Sequence, residues 1–263
     1  MKTISFLKPV FLDDLIRVGN ANDGGYIINQ RNIDKTRYLI GLGVNADWSF
    51  EADFFERKNS IYVYCFDFSV SAKNFFKRAV QSFYNPAESF FWLKSSLKFR
   101  NFFQGNKTFY KKGISDYVND YFIKFNDIFN MTGIGTPQEN EIFLKIDIEQ
   151  SEFRIMDQVM QNSKYINGIV VEFHDIDILW DNFRNIITEL SAEFAITHVH
   201  GNNCGETFTE LNIPRALEIS FVKRNLISEF EMTVEHNVSY PITGLDAPNL
   251  PARNDYGLDF SNQ

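Results

Sequence analysis

Seven side chains able to bind protons, metals or hydroxyls fall at or just beyond the ends of short apolar runs: Asp67, Asp147, Glu149, Glu172, His174, His198 and His200. In an open α/β sheet the carboxyl ends of the strands border a crevice, and ligands bind there. An imidazole near its ordinary pKa exchanges protons at neutral pH, so His174 is the first candidate for a general base acting on a hydroxyl, and His200 the second. Asp147 and Glu149 stand two apart on an apolar run that reads as a strand, which puts them on one face. Together with His174 and His200 they form an oxygen-and-imidazole set suited to a divalent ion, which could acidify a hydroxyl in place of a protein base. A network of acids and imidazoles with no ion accounts for the same residues equally well. Asn202, Asn203 and Glu172 are candidates for hydrogen bonds to an acceptor's hydroxyls. Asp23 and Arg17 could close the site from the N-terminal side, although a tight hairpin turn at Asp23-Gly24-Gly25 explains that segment as well.

A second constellation is suited to a nucleoside. Gly41-Leu42-Gly43 follows a strand-like run directly, allowing a tight turn and close approach of backbone to ligand. The third glycine of a dinucleotide fingerprint is missing, since the chain continues Val44-Asn45-Ala46-Asp47-Trp48. Asp67 ends the next apolar run, where an acid can accept from ribose hydroxyls. The pair favours an adenosine-type ligand without requiring a dinucleotide.

Positioning these residues calls for an alternation of strands and helices. Apolar runs at 38–43, 61–67, 108–114, 141–149, 168–174, 194–200 and 216–223 read as strands, with helices after the first and at 152–160. That alternation predicts an α/β fold with a mostly parallel seven-stranded sheet and helices on both faces. The 263 residues fit one domain, 1–263, with an N-terminal extension over 1–36 and an aromatic, basic helical insert over 71–106. The formal net charge is −8, which disfavours a general nucleic-acid partner, but it is unevenly spread. Residues 71–112 hold nine basic residues against Glu88 alone, a local +8 that leaves −16 for the rest of the chain. Such a stretch is a solvated cap over the core, a lid that draws in an anionic acceptor, or a contact for a membrane surface. Its aromatics could also bury surface in a homodimer. No apolar run is long enough for a membrane span, and the first residues lack the apolar region of a secretory signal. Cys65 and Cys204 provide neither a disulfide framework nor zinc-ligand spacing, so a reducing cytoplasm is the expected setting.

The segment Leu144-Lys145-Ile146-Asp147-Ile148-Glu149-Gln150-Ser151-Glu152 resembles the signature of the FkbM-type methyltransferases, a class I, Rossmann-like, S-adenosylmethionine-dependent family. Gln150 stands where that family carries glycine. The resemblance extends to residues 17–26, 41–51, Asp67, 171–175 and 198–203, and so to most of 17–205 apart from 71–106. It implies transfer of a methyl group from S-adenosylmethionine to a hydroxyl of a sugar or glycan acceptor. It further implies that Gly41, Gly43, Asn45 and Glu51 line the methionine side, that Asp67 holds the ribose, that Ser115 lies near adenine, and that Asp147 stands beside the sulfonium. Two other functions compete. An NAD-dependent oxidoreductase would use a similar sheet, against the missing third glycine, and a metal-dependent hydrolase would leave the Gly41–Gly43 turn without a purpose.

Overall fold

The computed structural model describes residues 3–234, 236 and 238–261. It opens on an antiparallel hairpin of β1 (Leu15–Gly19) and β2 (Gly25–Asn29), followed by α1 (Gln30–Lys35). Next come β3 (Tyr38–Leu42), α2 (Ser49–Arg57), β4 (Tyr62–Phe66), the helical pair α3 (Ala72–Gln81) and α4 (Pro86–Phe102), and β5 (Lys107–Tyr110). The short parallel pair β6 (Gly113–Ser115) and β7 (Phe122–Lys124) and helix α5 (Asp127–Thr132) lead to β8 (Ile142–Ile146). Then follow α6 (Glu152–Gln161), β9 (Ile166–Phe173), α7 (Trp180–Glu193) and β10 (Phe194–Gly201). A two-residue ladder, β11 (Thr207–Phe208) with β12 (Ile213–Pro214), precedes β13 (Leu217–Lys223) and α8 (Glu229–Thr233).

Seven strands make the central sheet, in the order β10-β13-β9-β8-β3-β4-β5. Only β13 runs against its neighbours, entering between β9 and β10. The expected α/β architecture with a mostly parallel seven-stranded sheet is therefore present, and it is the Rossmann-like arrangement. Strand order reverses between β3 and β8: from β3 the chain builds outward to β4 and β5, then returns to lay β8 on the other side. The crevice rule places the ligand at that reversal, beyond Leu42 and Ile146.

Both sheet faces are covered, as the near-continuous apolar strands require. One face packs Leu42, Phe66, Leu144, Ile146 and Phe173 against Ile155, Met156, Phe183 and Leu190 of α6 and α7. The other packs Leu39, Val63, Cys65 and Phe143 against Phe50 and Phe54 of α2 and against Val18, Tyr26 and Ile28 of the β1–β2 hairpin. The N-terminal segment thus contributes to the core. The strand expected over 108–114 is divided. Tyr110 ends the pairing with β4, the chain turns with Lys112 N–H donating to Tyr110 O, and Gly113–Ser115 pair instead with β7. The helices of 71–106 are the crossover between β4 and β5, doubled into a hairpin. Ser71 caps α3, and Asn85 caps α4 ahead of Pro86.

Candidate functional site

Glycine is indispensable at the reversal point. Gly43 has φ +76°, and a Cβ there would lie 1.6 Å from the carbonyl oxygen of Asp147. The Asp147 N–H in turn donates to Leu42 O at 2.9 Å, locking the two strand ends together. The loop beyond is shaped by Asp67. Its Oδ2 accepts from the N–H groups of Val44 (3.0 Å) and Asn45 (2.7 Å), and its Oδ1 accepts from the N–H (2.7 Å) and hydroxyl (2.6 Å) of Ser69. A carboxylate has about four lone-pair sites, so these bonds fill Asp67, and a ribose contact requires one to be exchanged.

Two cavities flank this loop. One, of about 320 Å³, is walled by Gly43, Asp67, Phe68, Gly113 and Ile114. The other, of about 270 Å³, is walled by Asp23, Tyr26, Asp47, Glu51 and Lys145. Asn45 and Asp147 border both. Asp67 and Asp147 therefore meet at one ligand-sized space, and Asp23 joins them from the hairpin turn. Ser115 is not part of this wall: it is buried on β6 and its hydroxyl donates to Asp116 Oδ1, while Gly113 and Ile114 line the cavity in its place. Half-exposed Phe68, 4.8 Å from Phe122 between ring centroids, presents an aromatic face beside the first cavity.

Glu51 is the unusual group of the second cavity. It is buried at the start of α2, and a Cβ at Gly41 would come within 2.5 Å of its Oε1, so glycine admits it to the sheet surface. That oxygen has no hydrogen-bond partner. Burial raises its pKa to about 7, against the opposing pull of Lys145. An unpaired buried polar atom costs about 1–3 kcal/mol, so a cationic donor in the cavity would find a ready acceptor. Lys145 donates to Gly43 O at 2.5 Å and to Asp147 Oδ2 at 3.2 Å, and it is the only basic residue among those walling either cavity in the described residues. Burial works against its charge, but Asp147 and Glu51 outweigh that and hold its pKa up.

Beyond Asp147 the strand ends of β8 and β9 build an acid cage around His174. Its Nδ1 is held by Glu152 Oε1 at 3.0 Å, and its backbone N–H donates to the same oxygen at 2.8 Å. The other ring nitrogen faces three carboxylates: Glu172 at 3.7 Å, Glu149 at 3.8 Å and Asp147 at 3.9 Å. Burial disfavours the imidazolium, but the Glu152 bond and the nearby Glu172 and Asp147 raise its pKa to about 10. The carboxylates thereby favour the imidazolium, and His174 could act as a general base only after giving up that proton. Glu172 accepts from Asn202 Nδ2 at 2.6 Å and from the Tyr26 hydroxyl at 3.5 Å. Burial, with Asp147 and Glu218 nearby, raises its pKa well above the carboxylate range. Backbone strain collects here too, because Glu149, Gln150 and Asp175 all have positive φ.

No family model matches this chain, and no curated protein does. Among solved structures it is similar to the fibrillarin pre-rRNA processing protein of Methanococcus jannaschii, at 10% identity, over 73% of this chain and 68% of that one, with a TM-score of 0.39. It is similar to an rRNA methylase of Streptococcus thermophilus at 8% identity, over 73% and 91%, with a TM-score of 0.38. It is also similar to a predicted O-methyltransferase of Agrobacterium tumefaciens at 12% identity, over 84% and 81%, with a TM-score of 0.33. Likeness this distant decides nothing about activity, so the functional reading rests on the site.

Three sequence-chosen residues have other employment. His200 lies between Glu218 Oε2 (3.2 Å from Nδ1) and Asp255 (3.0 Å from Nε2), buried. Burial opposes its charge, but Asp255 and Glu218 raise its pKa to about 10, so neither ring nitrogen is free to act as base or metal ligand. Asn203 ties down the tail, donating to the carbonyls of Leu250, Arg253 and Asn254 and accepting from Leu250 N–H. Arg17 donates to the carbonyls of Asn20, Asn22, Gly25 and Leu245, stapling the hairpin turn to the same tail. Of the metal candidates, Asp147, Glu149 and His174 offer ligand atoms within 4.8 Å of one another, and His200 stands apart from them. Tyr26, Lys145 and Glu152 lie in segments that carry the resemblance but had no role assigned from sequence, and Glu218 was not singled out at all. Lys145 had a signal, two residues before Asp147 on the same strand face; Glu218 had none, because its place beside Glu172 comes from the antiparallel entry of β13.

Proposed function

We propose that the chain is an S-adenosylmethionine-dependent O-methyltransferase of the FkbM type, acting on an uncharged sugar or glycan hydroxyl. One observation carries this reading: paired cavities meeting at Asp147, whose second chamber is walled by Asp23, Asp47, Glu51 and Asp147 against a single lysine. That wall suits a ligand bearing cationic groups and repels the diphosphate of a dinucleotide. The acidity also disfavours the anionic acceptor that the basic stretch suggested, since the cations of that stretch border neither cavity.

When bound, S-adenosylmethionine supplies an electrophilic methyl group for in-line displacement, for which alignment is the main requirement. Glu51 would accept from an ammonium group, and Phe68 would cover a base. Asp67 holds the loop in register through Val44 and Asn45, and Asn45 sits at the junction. With the His174 imidazolium favoured, a carboxylate would take the acceptor's proton, and Asp147, which borders both cavities, is our candidate. His174 and Lys145 fix that carboxylate, and Asn202 with Tyr26 fixes Glu172 behind it.

Calorimetry tests the reading. S-adenosylhomocysteine should bind with the heat of a single site and NAD should not; binding of NAD alone would transfer the chain to the oxidoreductases. A second reading of the cage is favoured by the convergence of Asp147, Glu149 and His174. The donors fit a divalent ion: hard oxygens plus an imidazole whose far nitrogen is oriented by Glu152. Such an ion would lower the pKa of a bound hydroxyl. Titration of the chelator-treated protein with Mn²⁺ should give saturable heat that Glu149→Gln abolishes; absence of heat discards the metal and leaves the carboxylate mechanism.

A further inference from the structure

The α3–α4 hairpin is apolar on its outside as well as its inside. Its inner seam is complete, with Phe75 and Phe99 buried beside Val70 and with Trp48, Trp92 and Phe103 packed around them. Yet α3 also presents Phe76 and Val80 outward, the turn after it presents Phe83, and α4 presents Phe90, Leu93 and Leu97. A step of four puts Phe76 and Val80 on one face of α3, and steps of three and four put Phe90, Leu93 and Leu97 on one face of α4. Phe83 is 78% and Phe90 66% exposed, and Tyr84 extends the patch at the turn. A soluble surface rarely exposes so many neighbouring apolar groups without using them.

Cations are interleaved with these groups. Lys73, Lys77, Arg78, Lys94, Lys98 and Arg100 lie on the same two helices, with Glu88 the single acid. Between the helices opens a cleft of about 560 Å³ lined by Ala72, Lys73, Phe76, Ser96 and Arg100, an apolar wall with a cation from each helix. Aromatic and aliphatic side chains mixed with Lys and Arg, on helices too short to cross a bilayer, are the pattern of an element lying in an anionic membrane surface. Among the described residues no helix is long and apolar enough to span. The chain outside residues 71–112, at −16, is repelled by the same surface and turns the hairpin toward it.

We infer that the α3–α4 hairpin docks this protein on an anionic lipid surface, with Phe76, Phe83, Phe90 and Leu97 in the interfacial layer and a lipid phosphate between Lys73 and Arg100. The docked hairpin is packed on Trp48, 5.3 Å from Phe99 between ring centroids, at the end of the loop that borders the cofactor-type cavities. Docking thereby holds those cavities close to the membrane, whatever acceptor is used.

Cosedimentation of the full chain with sucrose-loaded vesicles tests this. Partition onto phosphatidylcholine vesicles containing phosphatidylglycerol should exceed partition onto phosphatidylcholine alone by about tenfold or more, and should fall steeply with added salt. Phe83→Ser with Phe90→Ser should abolish it, and so, independently, should Lys73→Glu with Arg100→Glu. Both pairs are exposed, so circular dichroism and melting temperature should match the parent. Equal partition onto both vesicle types, or undiminished binding by either folded variant, overturns the proposal. So does a dimer that the Phe variant dissociates while the parent ignores vesicles, since the patch would then be a contact between two copies.

Discussion

Between the paired cavities and the α3–α4 hairpin, charge changes both sign and setting. Around the cavities, Glu51, Lys145, Glu172 and His174 are wholly or largely withdrawn from water, and each shifts its neighbours: Glu51 up to about 7, His174 up to about 10, Lys145 upward. On the hairpin, Lys77, Lys94, Lys98 and Arg100 are exposed and act only through their summed field. Buried charge is specific, because in a low-dielectric setting each group needs a partner at a fixed position. Exposed charge is generic, is screened within about 10 Å at ordinary salt, and suits a surface better than a small molecule. The same chain can therefore hold a cationic ligand and approach an anionic one without conflict.

The contrast breaks most visibly at Asp147. Asp147→Asn should lower methyl incorporation from labelled S-adenosylmethionine into a sugar pool by about 10²–10⁴-fold while S-adenosylhomocysteine affinity moves by less than about tenfold. Equal losses would make Asp147 a cofactor-binding group instead. Glu51→Gln comes next. Loss of one charged hydrogen bond should weaken S-adenosylhomocysteine binding by about 10–100-fold, read by calorimetry, while the melting temperature holds or rises because a neutral amide is easier to bury. A variant that binds as well as the parent would empty the second cavity of its assigned role.

Raising pH probes buried charge without mutation. His200 titrates near 6.5 when unfolded and near 10 when folded, so the stability it contributes is complete below pH 6.5 and is lost as pH rises through 10. Urea unfolding midpoints should fall across that window, and His200→Gln should flatten the fall; an identical slope in the variant would mean that the Glu218–His200–Asp255 bridge does not anchor the tail. The smallest effect belongs to Gln150. At φ 73° it occupies a conformation that glycine adopts freely, so in urea unfolding Gln150→Gly should raise the unfolding free energy by up to about 1 kcal/mol, less whatever its bond to Asp175 contributes.

Much of this was legible in sequence. The strand ends at Leu42, Phe66 and Phe173 could be placed to within a residue because parallel strands covered on both faces are short continuous apolar runs. The run expected to reach 149 stops at Ile146 instead, and Glu149 has φ 51°, so Asp147 and Glu149 do not share a strand face. Asp67, Asp147, Glu149, Glu172 and His174 reached the site because they lie at or just beyond the ends of those runs. His200 and Asn203 sit at an equally good strand end, yet the tail at Leu250, Arg253 and Asp255 folds over them, and contacts separated by some fifty residues leave no periodic trace. Arg17 went the same way.

Local sequence determined where most strands of the central sheet would lie and that acids and imidazoles would cluster beyond them, because apolar periodicity and chain-breaking residues act over a few positions. Tertiary structure alone decided which of those groups would be sealed into ion pairs and which would be left facing a cavity. That choice depends on burial and on partners distant in the chain: Glu152 beneath His174, Lys145 beside Glu51, and the antiparallel β13 that sets Glu218 next to Glu172.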